Sequence, residues 1–143
     1  PAIAPEVESL PRDPVIAYVY DNFTRPYPFS PTVAVDIEPV MATVVDALDC
    51  HASQFYEWLP HNMWQTDSVP ADSSERRVWL GERYRERLAP RADQFRSLLV
   101  QIYGAERASA VEYIEAFEPC EYGAPLDDAA KRRLFPFLPW NES

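Results

Sequence analysis

Met41, Val44, Val45, Leu48, Ala52, Phe55 and Leu59 recur at steps of three and four, the spacing that lines one face of a helix. The pattern predicts one long amphipathic helix running into the polar segment Cys50-His51-Ala52-Ser53-Gln54-Phe55, with the apolar stripe facing a core. Asp36 or Glu38 can accept hydrogen bonds from the free N–H groups of the first turn, and Pro39 sits where a missing N–H costs nothing. His51 and Gln54 are three apart and so share a face beside the stripe. Ser53 turns toward the flank of Asp46 and Asp49.

Two β-rich runs precede this helix, residues 15–20 (VIAYVY) and 32–37 (TVAVDI). The connection between them, DNFTRPYPFSP, holds three prolines and three aromatic rings, too rigid for helix and too apolar for a freely solvated linker. It predicts an ordered loop over the core edge, with Arg25 or Tyr27 as the alternative wall of a pocket. Beyond Pro60 lies a turn-rich stretch carrying Met63 and Trp64, and then Asp72-Ser73-Ser74-Glu75 marks a helix start. That helix is expected over about 74–88 and is broken or restarted by Pro90. A second, carrying Phe95, Leu98, Leu99 and Ile102, is closed by Gly104. Residues 111–118 alternate as a strand does, Asp127 opens a short helix to Leu134, and the tail LFPFLPWNES can cover apolar surface on its own chain or on a partner.

Composition narrows the function classes. The 143 residues suit one domain, and 47% hydrophobic with 13% aromatic content supplies a core. Thirteen basic against 23 acidic residues leave a net charge of −10, which repels phosphate backbones and anionic lipid. Nucleic acid is therefore excluded as an expected partner. The arginines between residues 76 and 96 alternate with acids at helical spacing and predict a solvated face of ion pairs. Cys50 and Cys120 lack zinc-type spacing and read as reduced thiols. No apolar run approaches the roughly 20 residues of a membrane span, and no basic-then-apolar leader is present, so a cytoplasmic location is expected. The proline-rich, acidic residues 1–13 read as a linker and the chain as a fragment of a longer protein.

The candidate chemistry is sparse. Ser53 lacks the flanking glycines of a nucleophile elbow, and the whole chain has three glycines. No phosphate-binding loop or internal repeat occurs. His51 and His61 are the two histidines. Their spacing matches no zinc site, although Asp67 or Asp72 could complete one. A histidine beside an apolar stripe most often serves as a hydrogen-bonded packing residue.

Residues 35–37 (VDI), 50–55 (CHASQF) and 113–123 (YIEAFEPCEYG) together resemble, in order and spacing, the C-terminal part of the PIG-L/LmbE-like de-N-acetylases. The resemblance spans residues 14–138 and leaves 139–143 as a tail. It implies an α/β chain, the C-terminal portion of a Rossmann-like fold with short mixed strands and about four helices. It also implies a zinc enzyme that hydrolyses the acetamide of an N-acetylglucosaminyl conjugate. Zinc activates the attacking water in such chemistry, but the family's His-Pro-Asp-Asp segment lies upstream of the matched part. The resemblance therefore assigns no catalytic or metal-binding residue here and makes the upstream half of the same protein the first partner. His51, Ser53, Gln54 and Glu115 are the matching residues expected to support the site or contact substrate. Where the family often has a lysine about seven residues before the histidine, this chain has Val44. Homo-oligomerisation is left open. The alternative expectation is a non-catalytic binding or assembly module using its aromatic loops, residues 23–29 and 135–140.

Overall fold

The computed structural model describes residues 6–140. It is mixed α/β, with three strands, β1 (Ala17–Val19), β2 (Val33–Asp36) and β3 (Ile114–Pro119), in one sheet of order β1-β3-β2. β1 and β3 pair antiparallel, with Ala17 opposite Pro119 and Val19 opposite Phe117. On the other edge of β3, Thr32 N–H donates to Phe117 C=O and Ile37 N–H to Tyr113 C=O, both at 3.0 Å. These paired positions again run in opposite directions. The two early strands lie where the apolar runs predicted them, each shorter than its run.

Six helices accompany the sheet, α1 (Met41–Asp49), α2 (Leu59–Asn62), α3 (Ser73–Gln94), α4 (Arg96–Tyr103), α5 (Ala105–Ala110) and α6 (Asp128–Leu134), against about four expected. The described chain divides into two compact units. One comprises the chain up to Ala34 together with the chain from Ala116 onward, and the other Val35–Glu115. The polypeptide passes from one to the other within β2 and β3.

In the second unit, Ile37, Met41, Val45 and Leu88 form a buried cluster against which Val35, Tyr84 and Tyr113 pack. Full burial of a side chain such as Leu88 contributes about 2–3 kcal/mol. α3 begins as its sequence signals. Asp72 accepts from the N–H groups of Ser74 and Glu75 at 2.8 and 3.3 Å. The Ser74 hydroxyl and then those two N–H groups hold its carboxyl below the usual carboxylate range. The expected break at Pro90 does not occur, and α3 continues to Gln94. Pro90 and Glu86, whose carbonyl loses its helical donor, are both exposed, so water can take that acceptor, while Leu88, Arg91 and Ala92 stay buried on the other face. Gly104 closes α4 with φ +79°, a left-handed conformation natural to glycine. The residues that follow form α5, which no sequence signal announced.

In the first unit, Phe117 of β3 stacks on Phe135 at 5.4 Å between ring centroids, and Leu138 is buried. The Trp140 indole donates to Phe135 C=O at 2.8 Å. The tail thus covers its own chain rather than standing free. The predicted loop over 21–31 leaves Phe23 and Tyr27 exposed. Residues 6–13 carry no helix or strand and are exposed, while residues 1–5 of the expected linker and 141–143 of the tail lie outside the described residues.

Two glycines separate open from closed space. A Cβ on Gly123 would stand 2.8 Å from Ile16 N and 2.9 Å from Pro14 O, both backbone atoms, whereas one on Gly81 in α3 would meet Val45 at an ordinary 3.6 Å. Gly123→Ala is therefore expected to destabilise by more than about 1 kcal/mol, and Gly81→Ala to be neutral or stabilising by up to about 1 kcal/mol. Urea unfolding of both variants checks the contrast.

Candidate functional site

The predicted long helix is interrupted where its polar residues begin. α1 ends at Asp49, and His51 N–H bonds back only three residues to Leu48 C=O at 2.9 Å. The chain then makes a wide π-helical turn over Ser53–Trp58, in which Leu59 N–H reaches Gln54 C=O five residues back. His51 C=O accepts from both Gln54 and Phe55 N–H at 3.0 Å. This change of winding rotates the stripe. Ala52, expected in the core, is exposed, and Tyr56 is buried in its place.

Tyr56 locks the new phase. Its hydroxyl donates to the Asp49 carboxylate two turns earlier, Arg76 lies over its ring at 5.6 Å, and Trp79 packs on it at 6.2 Å. Arg77 of α3 pairs with Asp46 of α1 across the same seam. Burial, and then the bond to Asp49, raise the Tyr56 hydroxyl well above the ordinary phenol range. The Asp49–Tyr56 spacing of seven, two helical turns, is the sequence signal that could have revealed this pair. The apolar stripe drew attention to Phe55 instead.

His51, Ser53 and Gln54 are all exposed, and their side chains make no hydrogen bond or ion pair with another described residue. The expected packing role of His51 is thus not what its position gives it. Ser53 and Gln54 share a shallow depression with Trp58 and His61, which His51 does not line. The opposite side of the turn, through Phe55 and Leu59, lines a separate groove against α3. Trp64, just beyond α2, is 93% exposed with φ +56°. It ends the helix in a left-handed cap, with Gln65 N–H donating to Pro60 C=O at 2.8 Å.

Glu115 belongs to a different cluster. It accepts from the Tyr84 hydroxyl at 3.2 Å and from Arg91 at 3.4 Å through both oxygens, so it ties β3 to α3. Its structural place is thus a strand carboxylate held by an arginine of the neighbouring helix. Nothing joins it to His51, Ser53 or Gln54.

The zinc implied by the resemblance finds no ligand set among the described residues. Among the described residues no group of three or more His, Cys, Asp or Glu side chains converges. His51 and His61 do not share the depression, and Asp72 is committed to capping α3. Cys50 is an exposed and Cys120 a buried free thiol, the latter donating to the Tyr18 hydroxyl at 3.1 Å. Among the described residues no helix is long and apolar enough to cross a membrane.

Tyr56 remains neutral in the folded chain above the pH at which the unfolded chain ionises it. The stability it contributes is fully present below about pH 10 and is lost as pH rises beyond that value. Tyr56→Phe should make the alkaline loss of stability shallower in urea unfolding series, while Tyr84 and Tyr103, also raised by burial, retain part of the slope. Glu115→Ala removes the acceptor of both the Tyr84 hydroxyl and Arg91 and is expected to cost about 2 kcal/mol. The same unfolding measurement reads that loss.

Comparison with protein-family models, with curated proteins and with solved structures gave no match to this chain.

Proposed function

We propose that this chain is the C-terminal part of a zinc-dependent de-N-acetylase of the PIG-L/LmbE-like kind, which hydrolyses the acetamide of N-acetylglucosaminyl conjugates, with its zinc-holding half upstream. One observation carries the reading. Two of the segments bearing the resemblance are far apart in sequence yet adjacent in the sheet, since Ile37 N–H donates to Tyr113 C=O, and Val35, Ile37 and Tyr113 pack in one cluster. The third segment follows α1, whose Met41 and Val45 belong to that same cluster, and holds its polar side chains outward.

The Rossmann-like parent rests on the resemblance alone, since β3 runs antiparallel to both of its neighbours in the described sheet. Zinc, held by residues outside this chain, would supply the activated water and polarise the carbonyl. What this chain contributes is binding and support. The His51 imidazole and the Gln54 amide offer donors and acceptors suited to sugar hydroxyls, and Ser53 adds a hydroxyl beside them. Glu115 acts at a remove, by holding β3 on α3.

The test is acetate release from N-acetylglucosaminyl conjugates by the full-length protein, with zinc measured on the same sample. Turnover with about one zinc per chain is expected. His51→Ala or Gln54→Ala should then raise KM several-fold and leave zinc content unchanged. A zinc-loaded protein that releases no acetate from a panel of such conjugates would overturn the assignment, as would an upstream coding sequence without a His-Pro-Asp-Asp type segment.

A further inference from the structure

The groove on the far side of the Ser53–Trp58 turn differs in its lining from the exposed surface of His51, Ser53 and Gln54. Phe55, Leu59, Met63, Trp79 and Leu80 wall a cavity of about 400 Å³, a size typical of small-molecule sites. Polar groups also line it, and most are already committed. Arg83 donates to Gln65 at 2.7 Å and stands 4.0 Å from Glu86, while the Tyr84 hydroxyl donates to Glu115. Arg87 is different. It lines the same groove, is exposed, and makes no hydrogen bond or ion pair with another described residue.

Two guanidinium groups against one carboxylate leave the lining with a single excess positive charge, in a chain whose net charge is −10. That local balance favours an anion over a cation. Apolar walls lower the local dielectric, which strengthens an ion pair at their edge, and a planar guanidinium matches a carboxylate through two parallel hydrogen bonds. Trp79 and Phe55 supply flat apolar surface for a ring or chain.

We propose that this groove binds a small carboxylate with an apolar body, the body lying against Trp79, Phe55 and Leu59 and the carboxylate paired with Arg87. A neutral analogue fills the same walls without using Arg87. The site is independent of the de-N-acetylase reading, because it needs neither zinc nor turnover.

Binding of naphthalene-2-carboxylate and of its neutral analogue naphthalene-2-carboxamide to the full-length protein, followed by calorimetry, tests the proposal without reference to catalysis. The carboxylate should bind more tightly. Arg87→Gln should weaken the carboxylate about tenfold, as loss of a charge-assisted hydrogen bond does, and change the carboxamide by less than about twofold. Met63→Asp, at a half-exposed wall position, should weaken both ligands. Arg133→Gln, on exposed α6 surface, should weaken neither, and circular dichroism confirms that each variant is folded. The proposal is overturned if the carboxylate does not bind, if Arg87→Gln leaves its affinity unchanged, or if Arg133→Gln weakens it equally.

Discussion

A tyrosine hydroxyl bonded to a carboxylate two turns earlier decides which way the central polar segment faces. Had α1 continued with regular winding, Ala52 and Phe55 would have followed Met41, Val45 and Leu48 into the core. The wide turn over Ser53–Trp58 instead buries Tyr56 and ties it to Asp49. A π-turn gives up regular hydrogen-bond geometry and persists only when tertiary packing compensates. Here the compensation is identifiable in the Arg76 and Trp79 contacts on the Tyr56 ring and in the Arg77 pair with Asp46. One consequence is a division of labour across a single turn, with Ser53 and Gln54 facing a shallow mixed depression and Phe55 and Leu59 facing a largely apolar groove.

α3 is the scaffold on which that division rests. It caps itself through Asp72, carries Leu88 into the core beside Val45, and offers Trp79 and Arg87 to the groove. Its remaining arginines pair largely with acids, Arg77 with Asp46, Arg85 with Glu38 and Arg83 with Glu86. Such exposed pairs contribute little to stability. Their effect is to spend the cationic charge locally, which is why an arginine outside them stands out.

Much of this was legible in the sequence. The apolar runs located β1 and β2, the Asp72 cap located the start of α3, and alternation located β3, because each signal is local and reads directly as backbone geometry. Pro90 misled because its cost depends on whether the orphaned carbonyl meets water, which is a property of the folded surface. The interruption after Asp49 misled for a related reason. No glycine or proline lies between Asp49 and Leu59, Pro60 stands just beyond the wide turn, and the Tyr56 contacts with Asp49 and Arg76 exist only once α1 and α3 are in place. Glu115 drew attention only through the resemblance, and its partner Arg91 could be chosen from the many arginines of residues 76–96 only once α3 was known to pass Pro90 unbroken. The groove was beyond reach of sequence pattern, since its walls come from two separate stretches, residues 55–65 and 79–87.

The decisive measurement is a double-mutant cycle on the Asp49–Tyr56 pair, comparing the unfolding free energies of Asp49→Asn, Tyr56→Phe and the double variant with that of the parent protein. A coupling energy of about 1 kcal/mol or more is expected if this bond holds the turn that orients His51, Ser53 and Gln54. Strictly additive losses would show that the turn is held by something else, and the orientation of the polar surface would need another cause.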